Sequence, residues 1–356
     1  MHILHVACMP YPSMQGSQVY LRGLMKAQAQ RHKVSLLCYG HGTECTDHEY
    51  QVYRVPNILG YDRVRAGPDR YKPLLDLMLM IKLWNLDADV IHVHNYEAPI
   101  AAYLSKMKHK VPIVYTAHNL MEEELETYFT HRWAKSISRR FGKWLDTSIP
   151  RRADAVVTIR KRTESILREL GCRYVVTIPP GVEKLDITSV HPLDRSVVYA
   201  GNVDAYQNLE LFYKLAQKMP ETLFRIVTSD DVGLPKDLPQ NIEVIVLNNF
   251  QKICEQMLRS KVCIVPRKDC SGFPMKVLNA IALGIPVVAF SSAISEIPGV
   301  ARCQDSHEME QVLRRLLEDS QYCDQLGKQG KEHILSEYSW EKRAIEVEKI
   351  YNYLNQ

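Results

Sequence analysis

The sequence lacks the signatures of several large functional classes. None of its apolar runs approaches the ~18 consecutive residues of a membrane-spanning helix, and the N-terminal MHILHVAC has neither the basic start nor the length of a signal peptide. There is no CxxC pair, no Walker motif and no GxGxxG fingerprint. These absences argue against a transmembrane protein, a P-loop NTPase and a redox or zinc site built on paired cysteines.

Cysteine usage predicts a reduced, cytoplasmic protein. The cysteines are odd in number and widely scattered, and most lie in apolar runs where a thiol serves as a small core residue. The nine positions are Cys8, Cys38, Cys45, Cys172, Cys254, Cys263, Cys270, Cys303 and Cys323.

Charge is unevenly distributed along the chain. The formal net charge of the 356 residues is +4, yet residues 1–184 contain 26 Lys and Arg against 18 Asp and Glu. The remaining residues contain 19 against 23. The first half is therefore the better candidate for contact with a phosphate or an anionic membrane surface.

Short apolar strands alternate with longer helical patterns from end to end, which predicts an α/β protein with parallel sheets covered on both faces. Examples are HILHVA (2–7), DVIHVH (89–94), SVVYAGN (196–202) and VCIVP (262–266). The Pro/Gly break IPPGVE (178–183) divides the pattern into two similar halves. We expect two doubly wound domains, 1–180 and 181–338, facing each other across a cleft, with ligands beyond the carboxyl ends of the strands.

The segment RKDCSGFPMKVLNAIALGIPVVAF (267–290) combines a polar loop with the start of a helix. Pro274 suits the first helical turn, and Gly272 allows close approach to the backbone. Arg267 and Lys276 add positive charge to the unpaired N–H groups of that turn, and Asn279 lies one turn further on the same face. The segment predicts a phosphate or diphosphate site; the alternative is a buried helix with one solvated lysine.

Three smaller features are candidate site residues. Gly16 lies in the first strand-to-helix loop, where it is either a ligand contact or a plain turn glycine. His118 ends the apolar strand VPIVYTAH, where it either enters the cleft or packs as a hydrogen-bonded residue. His92 and His94 share one face of their strand, but no third ligand is evident, so no metal site is predicted.

Residues 131–152, HRWAKSISRRFGKWLDTSIPRR, contain seven Lys and Arg against one acid, with aromatic residues interleaved. As a helix this segment is basic and amphipathic, a pattern typical of peripheral contact with an anionic membrane. The alternative is a helix whose aromatic residues are core and whose cations are solvated. A nucleic-acid partner is not predicted, because no binding module is recognisable.

With these motifs the chain resembles the retaining, nucleotide-sugar-dependent glycosyltransferases of family 4, which have the GT-B fold. The resemblance covers nearly the whole chain and is specific in its order of motifs, which are the Gly16 loop, DVIHVHN, VPIVYTAHN, RRADAVVTI, VTIPPGVE, VVYAGN, SGFPMKVLNAIALGIPVVAF and YSWEKRAIEVEKIY. It implies two Rossmann-like domains and a C-terminal helix, 339–356, that crosses back to the first domain. It also implies metal-independent transfer without a cofactor.

The resemblance assigns roles to individual positions. Gly16 is implied to contact the donor diphosphate through its backbone, and His118 to approach the donor sugar. The other implied donor contacts are Asn202, Gln207, Leu247, Asn249, Ser271, Gly272, Phe273, Pro274, Met275 and Asn279. Lys276 and Arg267 are expected to supply the positive charge that stabilises the leaving diphosphate.

Four positions depart from the family pattern, because all are neutral here. Ser271 and Asn279 stand where the family usually has Glu. Asn202 and Gln207 stand where it usually has Arg and Lys. Some family members carry a YQN-like segment and a PxK, as found here at 206–208 and 274–276. Lys276 and Arg267 are expected to replace the missing positive charge.

The resemblance therefore predicts a transferase that moves a hexose-type sugar, with retention, from a nucleotide diphosphate sugar, with a UDP-sugar as the preferred donor. The expected acceptor is a hydroxyl of a lipid-linked saccharide or polysaccharide precursor at the inner membrane face. Two alternatives remain open, a non-catalytic GT-B relative that acts as a partner protein and a nucleotide-sugar 2-epimerase.

Overall fold

The computed structural model describes residues 1–12, 16–42, 49–62, 69–183, 185, 187, 192, 195–268, 273–294 and 297–356. The chain forms two compact units. Unit 1 comprises Met1–Gly181, Ser271–Phe273 and Trp340–Gln356, and unit 2 comprises Val182–Cys270 and Pro274–Ser339.

Unit 1 is built on a seven-stranded parallel sheet with the strand order β3-β2-β1-β4-β5-β6-β7. Its strands are β1 (His2–Ala7), β2 (Lys33–Cys38), β3 (Gln51–Arg54), β4 (Val90–His94), β5 (Ile113–Ala117), β6 (Ala155–Thr158) and β7 (Val175–Thr177). Its helices are α1 (Gly16–Ala29), α2 (Lys72–Leu83), α3 (Ala98–His109), α4 (Met121–Thr127), α5 (Arg132–Ser148) and α6 (Lys161–Glu169).

The two faces of this sheet have different chemistry. Alternate residues such as Leu4, Val6 and Val93 belong to an apolar core that also takes in residues of α2, α3, α5 and α6. Because side chains alternate along a strand, His5 and His92 point to the opposite face, where they are aligned in the parallel register of β1 and β4. His5 and His92 therefore lie next to each other on the face of the sheet opposite this apolar core.

Unit 2 repeats the architecture with a six-stranded parallel sheet of order β10-β9-β8-β11-β12-β13. Its strands are β8 (Ser196–Ala200), β9 (Leu223–Thr228), β10 (Ile242–Val246), β11 (Val262–Val265), β12 (Val287–Phe290) and β13 (Val300–Cys303). Its helices are α7 (Leu209–Lys218), α8 (Phe250–Leu258), α9 (Met275–Ala282), α10 (Ser306–Glu318) and α11 (Ser320–Glu337).

The C-terminal helix α12 (Trp340–Leu354) packs on α1 and completes unit 1. Gly23 leaves room for the Trp340 ring, which a Cβ atom at this position would overlap. Arg31 donates to both carboxylate oxygens of Glu348, at 3.1 and 2.9 Å. These contacts confirm the expected return of the C-terminal helix to the first domain, and the two sheets confirm the doubly wound, Rossmann-like fold.

The structure also adds elements that the sequence pattern did not reveal. Strands β3, β7 and β13 and helices α2, α10 and α11 were not predicted. Pro274 is the N-cap residue of α9 rather than a residue of its first turn, and Gly284 adopts φ +85° just after the helix. Within the described residues, no helix has both the length and the hydropathy needed to cross a lipid bilayer.

Candidate functional site

A cation lies at the carboxyl end of the sheet of unit 2. The Nζ atom of Lys276, in the first turn of α9, donates to Tyr199 Oη and to Gln207 Oε1, both at 2.9 Å. The same ammonium lies 4.2 Å from the centroid of the Tyr199 ring, a cation–π geometry. The lysine predicted to be the diphosphate-binding cation is thus held by groups from the end of β8 and the loop behind it.

The neutral residues after β8 form a hydrogen-bonded chain that supports this lysine. Gln207 is buried, and its Nε2 atom donates to Asn202 Oδ1 at 2.5 Å. Asn202 in turn donates to Asp204 at 2.6 Å and to the Tyr206 hydroxyl at 2.8 Å. The amide of Gln207 therefore has a fixed orientation, with its oxygen towards Lys276.

Gly201 makes room for the lysine at this sheet edge. Its φ of +146° is strained for any residue with a side chain, and a Cβ atom built there would lie 2.8 Å from Lys276 Nζ. Asn208 fastens the same loop to the end of β11, because its Nδ2 atom donates to the Pro266 carbonyl at 2.8 Å. The ends of β8 and β11 and the start of α9 thus form one structural site.

Burial keeps the hydroxyl and the thiol nearest to Lys276 neutral. Burial raises the pKa of the Tyr199 hydroxyl well above its ordinary value, although the nearby charge of Arg267 opposes the rise. Tyr199 donates to the Asn202 carbonyl at 2.5 Å, so its oxygen accepts from Lys276. Burial also raises the pKa of the Cys263 thiol to about 12, against the effect of Lys276. Tyr199 and Cys263 are therefore neutral at pH 7.

Three other predicted site residues of unit 2 lie outside the group of residues that contact Lys276. Leu247 follows β10 and is half-buried, with its N–H bonded to the Thr228 carbonyl at 2.8 Å. Asn249 is the N-cap of α8, where its side chain accepts from the Lys252 N–H, so it has a structural role. Asn279 is half-buried in α9, one turn beyond Lys276.

The predicted residues 271–275, just before and at the start of α9, are only partly described by the structure. Phe273, Pro274 and Met275 lead into the first turn of α9. Ser271 and Gly272 lie outside the described residues.

His118 in unit 1 follows the end of β5, as predicted, and is 8% exposed. Its Nε2 atom lies 3.3 Å from His94 Nδ1, and His94 Nε2 lies 3.0 Å from His5 Nδ1. His5 Nε2 then contacts Gln28 Oε1 at 2.8 Å. His118 is therefore the outer end of a buried hydrogen-bond network, which the sequence did not reveal.

A second branch of this network runs through His92. Its Nδ1 atom lies 2.5 Å from the Tyr351 hydroxyl, and its Nε2 atom lies 2.6 Å from Thr116 Oγ1. Gln28 Nε2 donates to the same Tyr351 hydroxyl at 3.2 Å. Helix α12 thus takes part in the network through Tyr351.

The four histidines of the network are kept neutral by their surroundings. Burial lowers the pKa of His5 and of His118 to about 4. Burial is also the main reason that the pKa values of His92 and His94 lie well below the ordinary value. At neutral pH each ring therefore has one N–H and one bare nitrogen.

Three of these rings lie close enough together to be considered as ligands of one metal ion. The ligand atoms of His5, His92 and His94 lie within 4.8 Å of one another, so His5 supplies the third imidazole that the sequence did not show. However, the six ring nitrogens all make hydrogen bonds within the network. The His92 and His94 rings are also stacked, with centroids 4.5 Å apart, and stacked rings do not direct their lone pairs at one point. We therefore interpret the cluster as a hydrogen-bond network.

Helix α5 has an exposed apolar stripe. Trp133, Ile137, Phe141 and Trp144 follow helical spacing and are 53% to 69% exposed. The opposite face is buried and contains Gly142, where a Cβ atom would overlap the backbone of Met121 in α4. The aromatic residues of this helix are therefore surface residues, contrary to the alternative in which they were core. Exposed cations flank the stripe, namely Arg132, Lys135, Arg139, Arg140 and Lys143.

Gly16 is the first residue of α1 and is exposed. The loop residues just before it lie outside the described part of the chain. Its predicted contact with the donor diphosphate remains a prediction.

Two family sequence models match the chain. Residues 14–184 match Glycosyltransferase Family 4, and residues 194–319 match Glycosyl transferases group 1. No curated protein sequence matches the chain.

Solved structures of the same fold align over almost the whole chain. Sucrose-phosphate synthase from Thermosynechococcus elongatus aligns with a TM-score of 0.78 and 16% identity, covering 99% of both chains. HepE from Anabaena, in complex with UDP, aligns with a TM-score of 0.75 and 14% identity, covering 99% of this chain and 100% of that one. The catalytic domain of starch synthase IV from Arabidopsis thaliana, bound to ADP and acarbose, has a TM-score of 0.72 and 12% identity, with 99% of both chains covered.

These alignments agree with the two parallel sheets and the returning C-terminal helix described above. The chain belongs to the glycosyltransferases of the GT-B fold, with Family 4 sequence in its first domain and group 1 sequence in its second.

Proposed function

We propose that this glycosyltransferase uses a UDP-sugar as its donor and transfers a hexose-type sugar with retention of configuration. The site around Lys276 supports the proposal most directly. A glycosyltransferase that uses a nucleotide diphosphate donor must stabilise the negative charge that develops on the leaving diphosphate, and a fixed cation beside a helix N-terminus provides this stabilisation.

Lys276 compensates for the two cations that the loop after β8 lacks. In the family, Arg and Lys usually stand at the positions of Asn202 and Gln207. Here these two side chains are neutral, and Gln207 accepts from the ammonium of Lys276 at 2.9 Å. We expect Lys276 to supply from α9 the positive charge that the family usually has at these two positions.

The remaining predicted residues contribute to the same donor. Lys276 and Arg267 bind the diphosphate, with backbone contacts from Gly16 and from Ser271 to Met275. Asn279 contacts the ribose, and the loop with Leu247 contacts the base. His118 contacts the donor sugar. Crystal structures of Anabaena HepE are described in complex with UDP and glucose and in complex with UDP-glucose, which supports a uridine donor for this chain.

The acceptor is a hydroxyl of a lipid-linked saccharide or polysaccharide precursor, and α5 brings the enzyme to it. An exposed stripe of two Trp, one Ile and one Phe, flanked by five exposed cations, has the chemistry of a helix that lies in an anionic lipid surface. Arg139 also pairs with Glu122 at 3.0 Å, which leaves most of this positive charge for the lipid.

The donor proposal is tested by calorimetric titration with UDP, GDP and ADP in metal-free buffer, followed by an assay for UDP release from UDP-glucose. We expect UDP to bind most tightly and slow release of UDP to be detectable. Binding of GDP or ADP instead would contradict the choice of uridine. Binding of UDP with no turnover of any UDP-sugar, with or without saccharide acceptors, would favour the non-catalytic alternative.

A further inference from the structure

In the hydrogen-bond network of unit 1, the side-chain amide of Gln28 determines which ring nitrogens donate and which accept. Gln28 Nε2 donates to the Tyr351 hydroxyl, so Gln28 Oε1 is the atom that faces His5. A carbonyl oxygen only accepts, and the proton between them must therefore lie on His5 Nε2.

Each neutral imidazole has one donor nitrogen and one acceptor nitrogen, so the protonated nitrogen of one ring determines the protonated nitrogen of the next. With its proton on Nε2, His5 accepts at Nδ1, so His94 donates from Nε2 across the 3.0 Å contact. His94 then accepts at Nδ1, and His118 donates from Nε2 across the 3.3 Å contact. The Nδ1 atom of His118 is left as the bare nitrogen at the outer end of the chain.

We propose that Gln28, His5 and His94 are positioning residues that hold His118 as its Nε2–H tautomer, so that Nδ1 accepts a hydrogen bond from a hydroxyl or amide N–H of the donor sugar. This inference rests on the proposed role of His118 as a sugar contact. A neutral ring with a lone pair directed at the ligand disfavours a phosphate oxygen at the same position, because both groups are acceptors. The network therefore selects the sugar, rather than the diphosphate, as the partner of His118.

The His92 branch supplies a matched control. Thr116 is as deeply buried as Gln28, but its hydroxyl contacts His92 Nε2 and lies outside the path from Gln28 to His118. Gln28→Met removes the acceptor that sets the direction while it keeps the volume. Thr116→Val removes a hydrogen bond of the other branch.

The tautomers can be observed without any ligand. Long-range proton–nitrogen correlation spectra of the ring nitrogens of the full chain, with the His118 signals identified through His118→Asn, report which nitrogen holds the proton. We expect the Nε2–H form for His118 in the wild type and in Thr116→Val, and a mixture of tautomers in Gln28→Met. A cationic or Nδ1–H form of His118 in the wild type would overturn the proposal even if Gln28→Met failed to fold, as would an unchanged spectrum in Gln28→Met.

The sugar contact is tested by titrating UDP and UDP-glucose into the same proteins. Gln28→Met should weaken UDP-glucose binding roughly tenfold relative to UDP, the loss expected for one hydrogen bond, and Thr116→Val should not. Equal losses for UDP and UDP-glucose would overturn the assignment of His118 to the sugar. Failure of the proposed function looks different: neither ligand would bind the wild type, while the tautomer pattern would be unchanged.

Discussion

The Nζ atom of Lys276 lies 2.9 Å from the Oε1 atom of Gln207, so a cation of α9 and a neutral amide behind β8 form one hydrogen-bonded pair. Gln207 is buried, and its own amide nitrogen is bonded to Asn202. The pair therefore holds the lysine in place, and exchanging its two members tests whether the position of the charge or the identity of the residue matters.

Exchanging the two side chains should preserve the charge of the site. Lys276→Gln should weaken UDP binding by roughly tenfold or more, because a hydrogen bond to a charged group is lost. Gln207→Lys alone should lower the melting temperature, since it brings two ammonium groups together. The double variant should recover part of the UDP affinity in calorimetry, and a double variant that binds no better than Lys276→Gln would contradict this account.

Gly201→Ala should weaken UDP binding through its effect on Lys276. The new Cβ atom would lie 2.8 Å from the ammonium in addition to straining a backbone at φ +146°. Gly233→Ala is the matched control, because Gly233 has φ +102° with no atom within 4 Å of its Cβ position. Both variants should lose about 1 kcal/mol or more of unfolding free energy from backbone strain, measured in urea, whereas only Gly201→Ala should reduce UDP affinity. Equal UDP affinities would be evidence against the steric effect.

The buried histidines should make the fold sensitive to acid. Their folded pKa values are depressed, so the unfolded chain binds protons first, and stability falls as pH decreases from the ordinary value of 6.5 to about 4. The slope per histidine approaches about 1.4 kcal/mol per pH unit. Asp146 and Asp76 act in the opposite direction, because burial raises the pKa of Asp146 to about 6 and that of Asp76 above its ordinary value, but they are two groups against four histidines.

Urea unfolding at several pH values between 4 and 6.5 measures this slope. His94→Asn should make it shallower by removing one titrating group. A slope that is flat in the wild type would show that the histidines are not held neutral.

The exposed stripe on α5 predicts binding to anionic vesicles. Replacing Trp133 and Phe141 together by Ser should reduce sedimentation with phosphatidylglycerol vesicles severalfold, because large apolar side chains would no longer enter the lipid. Val232→Ser, at a residue 73% exposed in unit 2, is the control and should bind as the wild type does. Equal binding to phosphatidylcholine vesicles would contradict a role for the flanking cations.

The sequence allowed much of the fold to be predicted, because buried parallel strands are short continuous apolar runs whose order is visible. Strands β3, β7 and β13 were not predicted because they are edge strands of only three or four residues, which are too short to show a clear pattern. Helix α2 was not predicted because its exposed face is also apolar, with Leu74, Leu77 and Ile81 on the surface. Its sequence therefore lacks the alternation of apolar and polar faces that indicates a surface helix.

Within the sites, sequence alone showed residue types but not partners. His118 and Lys276 stood out through their chemistry and their places at a strand end and a helix start. Tyr199 was hidden inside an apolar strand, and Gln28 and Tyr351 lie on helices 323 residues apart. His5 had one visible signal, since HILHV and VIHVH each place a histidine at matching positions of two strands. That the two histidines are neighbours becomes clear only from the structure, in which β1 and β4 are adjacent parallel strands and His5 is aligned with His92.

The most direct test of the account is a comparison of UDP and UMP binding by wild-type protein and Lys276→Met, which keeps most of the side-chain volume. If Lys276 binds the diphosphate, UDP will bind the wild type much more tightly than UMP, and this preference will largely disappear in the variant while UMP affinity changes little. The same preference for UDP over UMP in both proteins would show that the charge of Lys276 does not serve the diphosphate.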